Sequence, residues 1–330
     1  MNLSLEAVDP QGISPETALE ILKASPEEIY SLFPLTSQLR EKYFGKKVKL
    51  CSIVNAKSGH CSESCGFCPQ SAHFKETNVE TYPLMDADKI AHVAEDSWKN
   101  GSNEFSIVTS GYGMEDGEEL AVIEEALQQI TAKTELDPCA SLGIVSIETL
   151  RRLKEAGLVN YHHNIETARS FHGEIVKTHS FEEELQVIRN AKEVGLNVCA
   201  GGIFGMGETL EQRVEFVFEV KKIDPASFPI NFLNPRPGTP LENCKELTPL
   251  DCLKIIAISR LAMPAKDIFV LGGREVNLRE LQSLIFLAGA NGTMVGNYLT
   301  TAGRAPDETV RMIHDLGLEI VAAHHVPNPS

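Results

Sequence analysis

No apolar run in this chain of 330 residues approaches the roughly 20 residues that a membrane-crossing helix needs. Residues 1–10 lack the basic stretch and apolar core of a secretory leader. Basic residues are outnumbered 30 to 46, and the net charge of −16 repels nucleic acid and anionic lipid alike. Neither is expected as a partner. Tryptophan occurs once. A Gly-rich turn after the first strand, the mark of a dinucleotide-binding doubly wound sheet, is missing. So are linkers, low-complexity tracts and short repeats.

What remains is a composition with 42% hydrophobic and 23% charged residues, ample for a buried core. Eight cysteines in a chain without an export signal predict a reducing, cytoplasmic setting, where clustered thiols serve as ligands or catalysts more often than as disulfides.

The first fifty residues read as helical. Ser14-Pro15-Glu16 and Ser25-Pro26-Glu27 each combine a capping residue, a proline at the first turn and an acid at the positive helix end. Beyond them, β-rich runs at 48–56, 104–111, 136–143, 158–167, 197–205, 227–235, 267–273 and 293–299 alternate with amphipathic helical stretches. Eight strands, each followed by a helix, predict a (β/α)8 TIM-type barrel with an N-terminal helical extension. The expected division is 1–46 for the extension, 47–305 for the barrel, and 306–330 for a C-terminal helix and tail.

The loop after the first strand carries Cys61, Cys65 and Cys68 in C-x3-C-x2-C spacing. Three thiolates on one short loop can ligate three irons of a 4Fe-4S cubane and leave the fourth open to a substrate. A zinc site completed by His60 or His73 is the competing reading, although no second cysteine pair is present to complete a zinc knuckle. The position favours a catalytic group, because barrel enzymes gather ligands at the C-terminal ends of their strands.

This spacing, with an aromatic residue (Phe67) before the last cysteine, resembles the radical S-adenosylmethionine superfamily. The resemblance narrows to the biotin synthases through NAKSG at 55–59, CPQS at 68–71, NIET at 164–167, GGIFGMGE at 201–208, PINFL at 229–233, GTPL at 238–241, GGRE at 272–275 and LTTAG at 299–303. It implies S-adenosylmethionine on the open iron and a deoxyadenosyl radical. It also implies sulfur insertion into dethiobiotin to form biotin, with a second, auxiliary iron–sulfur cluster as sulfur donor. A homodimer and an external electron donor of flavodoxin or ferredoxin type follow from the same resemblance.

For the second cluster the residues offer their own argument. Cys51, Ile53 and Asn55 share a strand face. A polar Asn does not belong beneath an outer helix, so that face looks into the barrel. Cys139 and Cys199 lie on the third and fifth strands, and one barrel layer draws its side chains from alternate strands. Cys51, Cys139 and Cys199 can therefore meet at one level, although buried free cysteine is often only a small apolar residue. Cys244 and Cys252 have weaker cases as ligands, and Cys252 reads as core.

The chain departs from the family pattern at two ligand positions. Where that pattern has a strand-two cysteine and a strand-seven arginine, this sequence has Ser106 and Phe269. Ser is a poor ligand for a soft metal site and Phe is none. Cys51 is the expected replacement for the lost thiolate, with a changed nuclearity or a non-protein ligand implied and the fourth ligand unnamed.

In the strand-four run His162-His163-Asn164-Ile165-Glu166, alternation turns His162, Asn164 and Glu166 inward. The resemblance gives Asn164 to the substrate ureido group and the nucleoside, and Glu166 to the ribose hydroxyls. His162 stands between substrate contact and structural filler, while His163 faces outward as a packing residue. Phe67 is expected near adenine. Gly201, Gly202 and Ile203 would let the backbone approach the cofactor, and Asn231 would bind substrate. Glu184 stands where the family often has a basic residue, so the partner of the cofactor carboxylate is unassigned. Sulfur insertion into an octanoyl chain, and a non-catalytic iron or zinc protein, are the alternative functions.

Overall fold

The computed structural model describes residues 3–115, 117–245 and 247–321. Residues 322–330 of the expected C-terminal tail lie outside it. The two predicted N-terminal helices form as Pro15–Lys23 and Pro26–Phe44, capped by the Ser14 and Ser25 side chains. Glu28 returns a hydrogen bond to the Ser25 backbone, completing a capping box. A short helix, Leu5–Val8, precedes them. The longer pair packs on the helix Pro249–Ala262, ten of whose side chains are buried.

The strands run β1 (Lys47–Lys57), β2 (Glu104–Thr109), β3 (Asp137–Ser141), β4 (Asn160–His162), β5 (Asn197–Cys199), β6 (Gly202–Phe204), β7 (Ser227–Phe232), β8 (Asp267–Val270), β9 (Gly292–Met294) and β10 (Glu319–Ile320). All pairings among them are parallel, and β1 pairs with β9, closing the sheet. The fold is a (β/α)8 barrel, as the alternation of strands and helices predicted. Among the described residues no helix is long and apolar enough to cross a membrane.

The structure differs from expectation in three places. The single fifth strand is two, because β5 pairs with β4 and touches β7 at Cys199, whereas β6 pairs along β7 with one bridge from Gly202 to Glu166. The 158–167 run supplies just three strand residues before it turns into the site. Finally, the segment after the helix Pro306–Asp315 returns as β10 and pairs with Lys47 and Val48 at the start of β1.

Candidate functional site

The residues after β1 fold into a loop held mainly by backbone hydrogen bonds. Cys61 N–H donates to Gln70 O (3.0 Å), Ala72 N–H to Cys61 O (2.8 Å) and Cys68 N–H to Cys65 O (2.9 Å). Gly66 N–H reaches Ile175 O across the barrel mouth. Inside the loop, the Gln70 side-chain oxygen accepts from Gly59 N–H and from the Asn55 amide. The thiols of Cys61, Cys65 and Cys68 line one pocket with Phe67, Asn164 and Glu166. Burial pushes the Cys65 thiol far up and that of Cys68 up to about 11.

The three thiols line one pocket, and three thiolates on one short loop are the donor set that a cubane with one open iron takes. His73, one candidate for completing a zinc site, instead bonds Ser62 O through Nε2 at 2.8 Å. His60 is exposed.

Behind this loop lies a buried line of charge that the sequence reading missed. Glu63, between the first two loop cysteines, meets His179 Nδ1 at 2.6 Å, and His179 Nε2 meets Glu184 at 2.7 Å. The second Glu184 oxygen contacts His163 Nε2. These four side chains are all at most 10% exposed. Burial works against both charges, yet contact decides. Hydrogen bonds from His163 and His179 bring Glu184 down to about 2. The two flanking carboxylates raise His179 to about 9. Glu184 is thus an acid gripped by two imidazoles, where the family often carries a cation. His163, expected to face outward, stacks ring on ring with Tyr161 at 6.0 Å and contacts Glu184, and it lines the same pocket as the loop cysteines.

Past β4 the chain curls so that Glu166 adopts a left-handed φ of 59° and bridges to Gly202. Ile203 N–H donates to Glu166 O at 2.8 Å. A Cβ on Gly202 would lie 2.2 Å from that carbonyl, and one on Gly201 would lie 2.0 Å from Pro229 O. Neighbouring backbone therefore closes both positions to any larger residue. The Glu166 side chain is pushed up to about 8 by burial and then by Glu184, and its Oε2 has no partner. Asn164 Oδ1 accepts from Gly201 N–H. Asn231 lines the adjoining pocket with Phe67 and Ile203, but both ends of its amide bond backbone, at Gly202 O and Gly272 N–H.

Deeper in the barrel, strand register shows which side chains share a level. Cys51 pairs with Glu104 and Glu104 with Asp137, two residues before Cys139. Cys139 leads through Asn160 to Asn197, two before Cys199. Cys199 leads through Ser227 to Asp267, two before Phe269. Phe269 leads through Gly292 to Lys49, two before Cys51. Four steps of two residues close the circuit at the shear of eight typical of this barrel. Cys51, Cys139, Cys199 and Phe269 therefore form one ring of four, all at most 6% exposed.

By the same stagger, Ser106, His162, Pro229 and Met294 make the ring above, toward the cysteine loop. Glu104, Asn160, Ser227 and Gly292 make the ring below. Burial raises all three ring thiols, that of Cys199 to about 12. The Asn160 amide donates to Cys139 Sγ at 3.3 Å.

Above and below Cys139 stand two further donors. Ligand atoms of Glu104, Cys139 and His162 lie within 4.8 Å of one another. Burial brings His162 down to about 4 and raises Glu104 to about 7. Glu104 was legible in principle, lying two residues before Ser106 on the same strand face. Cys252 is fully buried in the helical layer, as expected, and Cys244 lies in a loop near Met206 O.

Residues 57–220 match the Radical SAM superfamily, and residues 229–319 match the Biotin and Thiamin Synthesis associated domain. The chain is 52% identical over 315 residues to the biotin synthase of Anaeromyxobacter sp. (strain K), covering 94% of this chain and 87% of that one. It is 50% identical over 319 residues to the biotin synthase of Geobacter sulfurreducens, covering 97% of each. Among solved structures, methylornithine synthase superposes with a TM-score of 0.83 at 21% identity, over 96% of this chain and 97% of that one. HydG, a maturase of the FeFe-hydrogenase, gives 0.80 at 16% identity, over 96% and 74%. At such identities these two speak for the fold alone.

Proposed function

This chain belongs to the biotin synthase family of radical S-adenosylmethionine enzymes, and from that premise we propose how its own residues carry the reaction. The activity is sulfur insertion into dethiobiotin. When bound, the 4Fe-4S cluster and S-adenosylmethionine supply a carbon radical able to abstract hydrogen from an unactivated carbon, and a second cluster supplies the sulfur.

Cys61, Cys65 and Cys68 hold the first cluster. Phe67 walls off the adenine side, and Glu166 receives the ribose hydroxyls through the oxygen that has no partner in the protein. Asn164 contributes amide hydrogen bonds to the ureido group and nucleoside. The Glu63–His179–Glu184–His163 line holds the cysteine loop against β4 and the start of the helix Phe181–Glu193, fixing the distance between cofactor and substrate walls. Gly201, Gly202 and Asn231 act as positioning residues, locking β6 to β7 so that Ile203 forms the apolar side of the substrate pocket.

Cys51, Cys139 and Cys199 hold the second cluster, with Cys51 replacing the family's strand-two thiolate. The observation that carries this is the ring of three buried thiols at one barrel level. Phe269 supplies no donor, so the cluster differs from the usual one in its ligand set. Iron and sulfide counts after anaerobic reconstitution test it. A Cys51→Ala chain should lose the second cluster's iron, and full iron content with full activity in that variant would refute the assignment.

The chain divides at about residues 46 and 305 into extension, barrel and C-terminal segment. It works as a cytoplasmic homodimer and takes electrons from a flavodoxin or ferredoxin. Light scattering that gave only monomer at micromolar protein would remove the dimer.

A further inference from the structure

The ring that offers three thiols offers nothing at its fourth corner. Phe269 stands there, 2% exposed and packed with Cys51 and Met294. A further protein ligand must therefore come from the ring above or the ring below. Five polar side chains stand in those rings: Ser106 and His162 above, and Glu104, Asn160 and Ser227 below. Asn160 and Ser227 already hydrogen-bond the Cys139 and Cys199 thiols, which leaves Ser106, His162 and Glu104.

We propose that His162 is the non-thiolate protein ligand of the second cluster, its Nε2 bound to an iron beside Cys139. This rests on the reading of Cys51, Cys139 and Cys199 as a cluster site. Two independent observations select His162. Its ligand nitrogen lies within 4.8 Å of both the Cys139 sulfur and the Glu104 carboxylate. Its Nε2 is also buried without any hydrogen-bond partner. An unpaired buried nitrogen is costly in a protein interior, and coordination would remove that cost.

The two competitors fare worse on chemistry. The Ser106 hydroxyl also lacks a partner, but an alcohol is a poor ligand for iron already bound by thiolate and sulfide. Glu104 is a harder donor and faces the field of Lys49 from below. Imidazole is an established iron–sulfur ligand, as in clusters where two histidines replace two cysteines on one iron. Coordination adds a lone pair and no electron transfer, so the bound histidine stays uncharged where a thiolate would bring a negative charge. The cluster should then be easier to reduce than an all-thiolate one. His162 accordingly belongs to the cluster rather than to the substrate wall.

The test uses the full chain grown with 15N-labelled histidine, reconstituted anaerobically and reduced. Electron-nuclear double resonance reads nitrogen bound to iron, and chemical iron and sulfide counts run in parallel on this chain and on its Cys61→Ala/Cys65→Ala/Cys68→Ala variant. The proposal expects a strongly coupled 15N signal in the unaltered chain. That signal should be lost in His162→Gln with the first cluster's spectrum unchanged. A second cluster present by iron count but showing no 15N coupling overturns the histidine assignment alone. Coupling that persists in His162→Gln does the same. If the triple variant, folded by circular dichroism, holds no iron or sulfide, the second-cluster reading falls and takes this proposal with it. Should the triple variant not fold, the Cys51→Ala/Cys139→Ala/Cys199→Ala chain replaces it, and iron content equal to the unaltered chain's is the overturning result.

Discussion

The imidazole of His179 stands 2.6 Å from the carboxylate of Glu63, and its other nitrogen stands 2.7 Å from Glu184. One ring therefore joins the cysteine loop to a helix start more than a hundred residues later in the chain. Both nitrogens face carboxylates, so the ring is held as a cation and in one orientation.

Replacing His179 by Gln leaves two buried carboxylates without their shared cation. The loop should loosen, cluster iron after reconstitution should fall at least twofold, and the KM for S-adenosylmethionine should rise more than kcat falls. Iron analysis and steady-state kinetics check this, and unchanged values for both would show that the ring does not position the loop.

The same ring predicts a pH dependence in the chain before reconstitution. Its folded value of about 9 lies above the ordinary 6.5. Its contribution is therefore complete below about pH 6.5 and is lost as pH rises through 9, at most about 3 kcal/mol. Glu184, held near 2, contributes above about pH 4.5 and loses its effect as pH falls toward 2. Glu166 and Glu104, raised by burial to about 8 and about 7, lose stability as pH rises from about 4.5 through those values. Urea unfolding against pH should therefore show a maximum near pH 4.5 and a continuous fall above it, and His179→Gln should remove the part of that fall between about pH 6.5 and 9.

Gly202→Ala should destabilise by about 2–4 kcal/mol, since its new carbon would overlap the Glu166 carbonyl and force two strand ends apart. Gly101→Ala, at a helix end with open space around the added carbon, provides the contrast: its cost should be limited to that of a positive φ, about 1–2 kcal/mol. Thermal unfolding of the two variants separates crowding from backbone strain.

Cys252→Ala should leave iron content and activity intact and cost only the packing of a small buried side chain, about 1–2 kcal/mol. A loss of iron in this variant would show that thiol number, rather than ring position, governs cluster binding.

Much of this arrangement was legible before any coordinates. Barrel strands announce themselves because helices alternate with them, several opened by a side-chain cap such as Asp86, Ser146, Ser180, Thr209 and Thr248, and the Ser14-Pro15 and Ser25-Pro26 starts form where read. The ring of Cys51, Cys139 and Cys199 follows from alternation along a strand and alternation among strands, two rules that need no tertiary contact. The Glu63–His179–Glu184 line was not legible, because its members meet only after the barrel closes and no periodicity links them. The split of the fifth strand was hidden for a related reason. Gly201 and Gly202 are crowded by Pro229 on β7 and by Glu166 past the end of β4, contacts that the order of residues along the chain does not show. The β10 segment is too short for a strand pattern to show.

Production of biotin by radical sulfur insertion is read from the products themselves. The protein is reconstituted anaerobically with iron and sulfide, supplied with S-adenosylmethionine, dithionite and dethiobiotin, and the products are read by mass spectrometry. Biotin together with 5′-deoxyadenosine is the expected result, with neither product from a Cys61→Ala/Cys65→Ala/Cys68→Ala chain. Deoxyadenosine without biotin from protein loaded with both clusters would contradict it and direct attention to an octanoyl substrate.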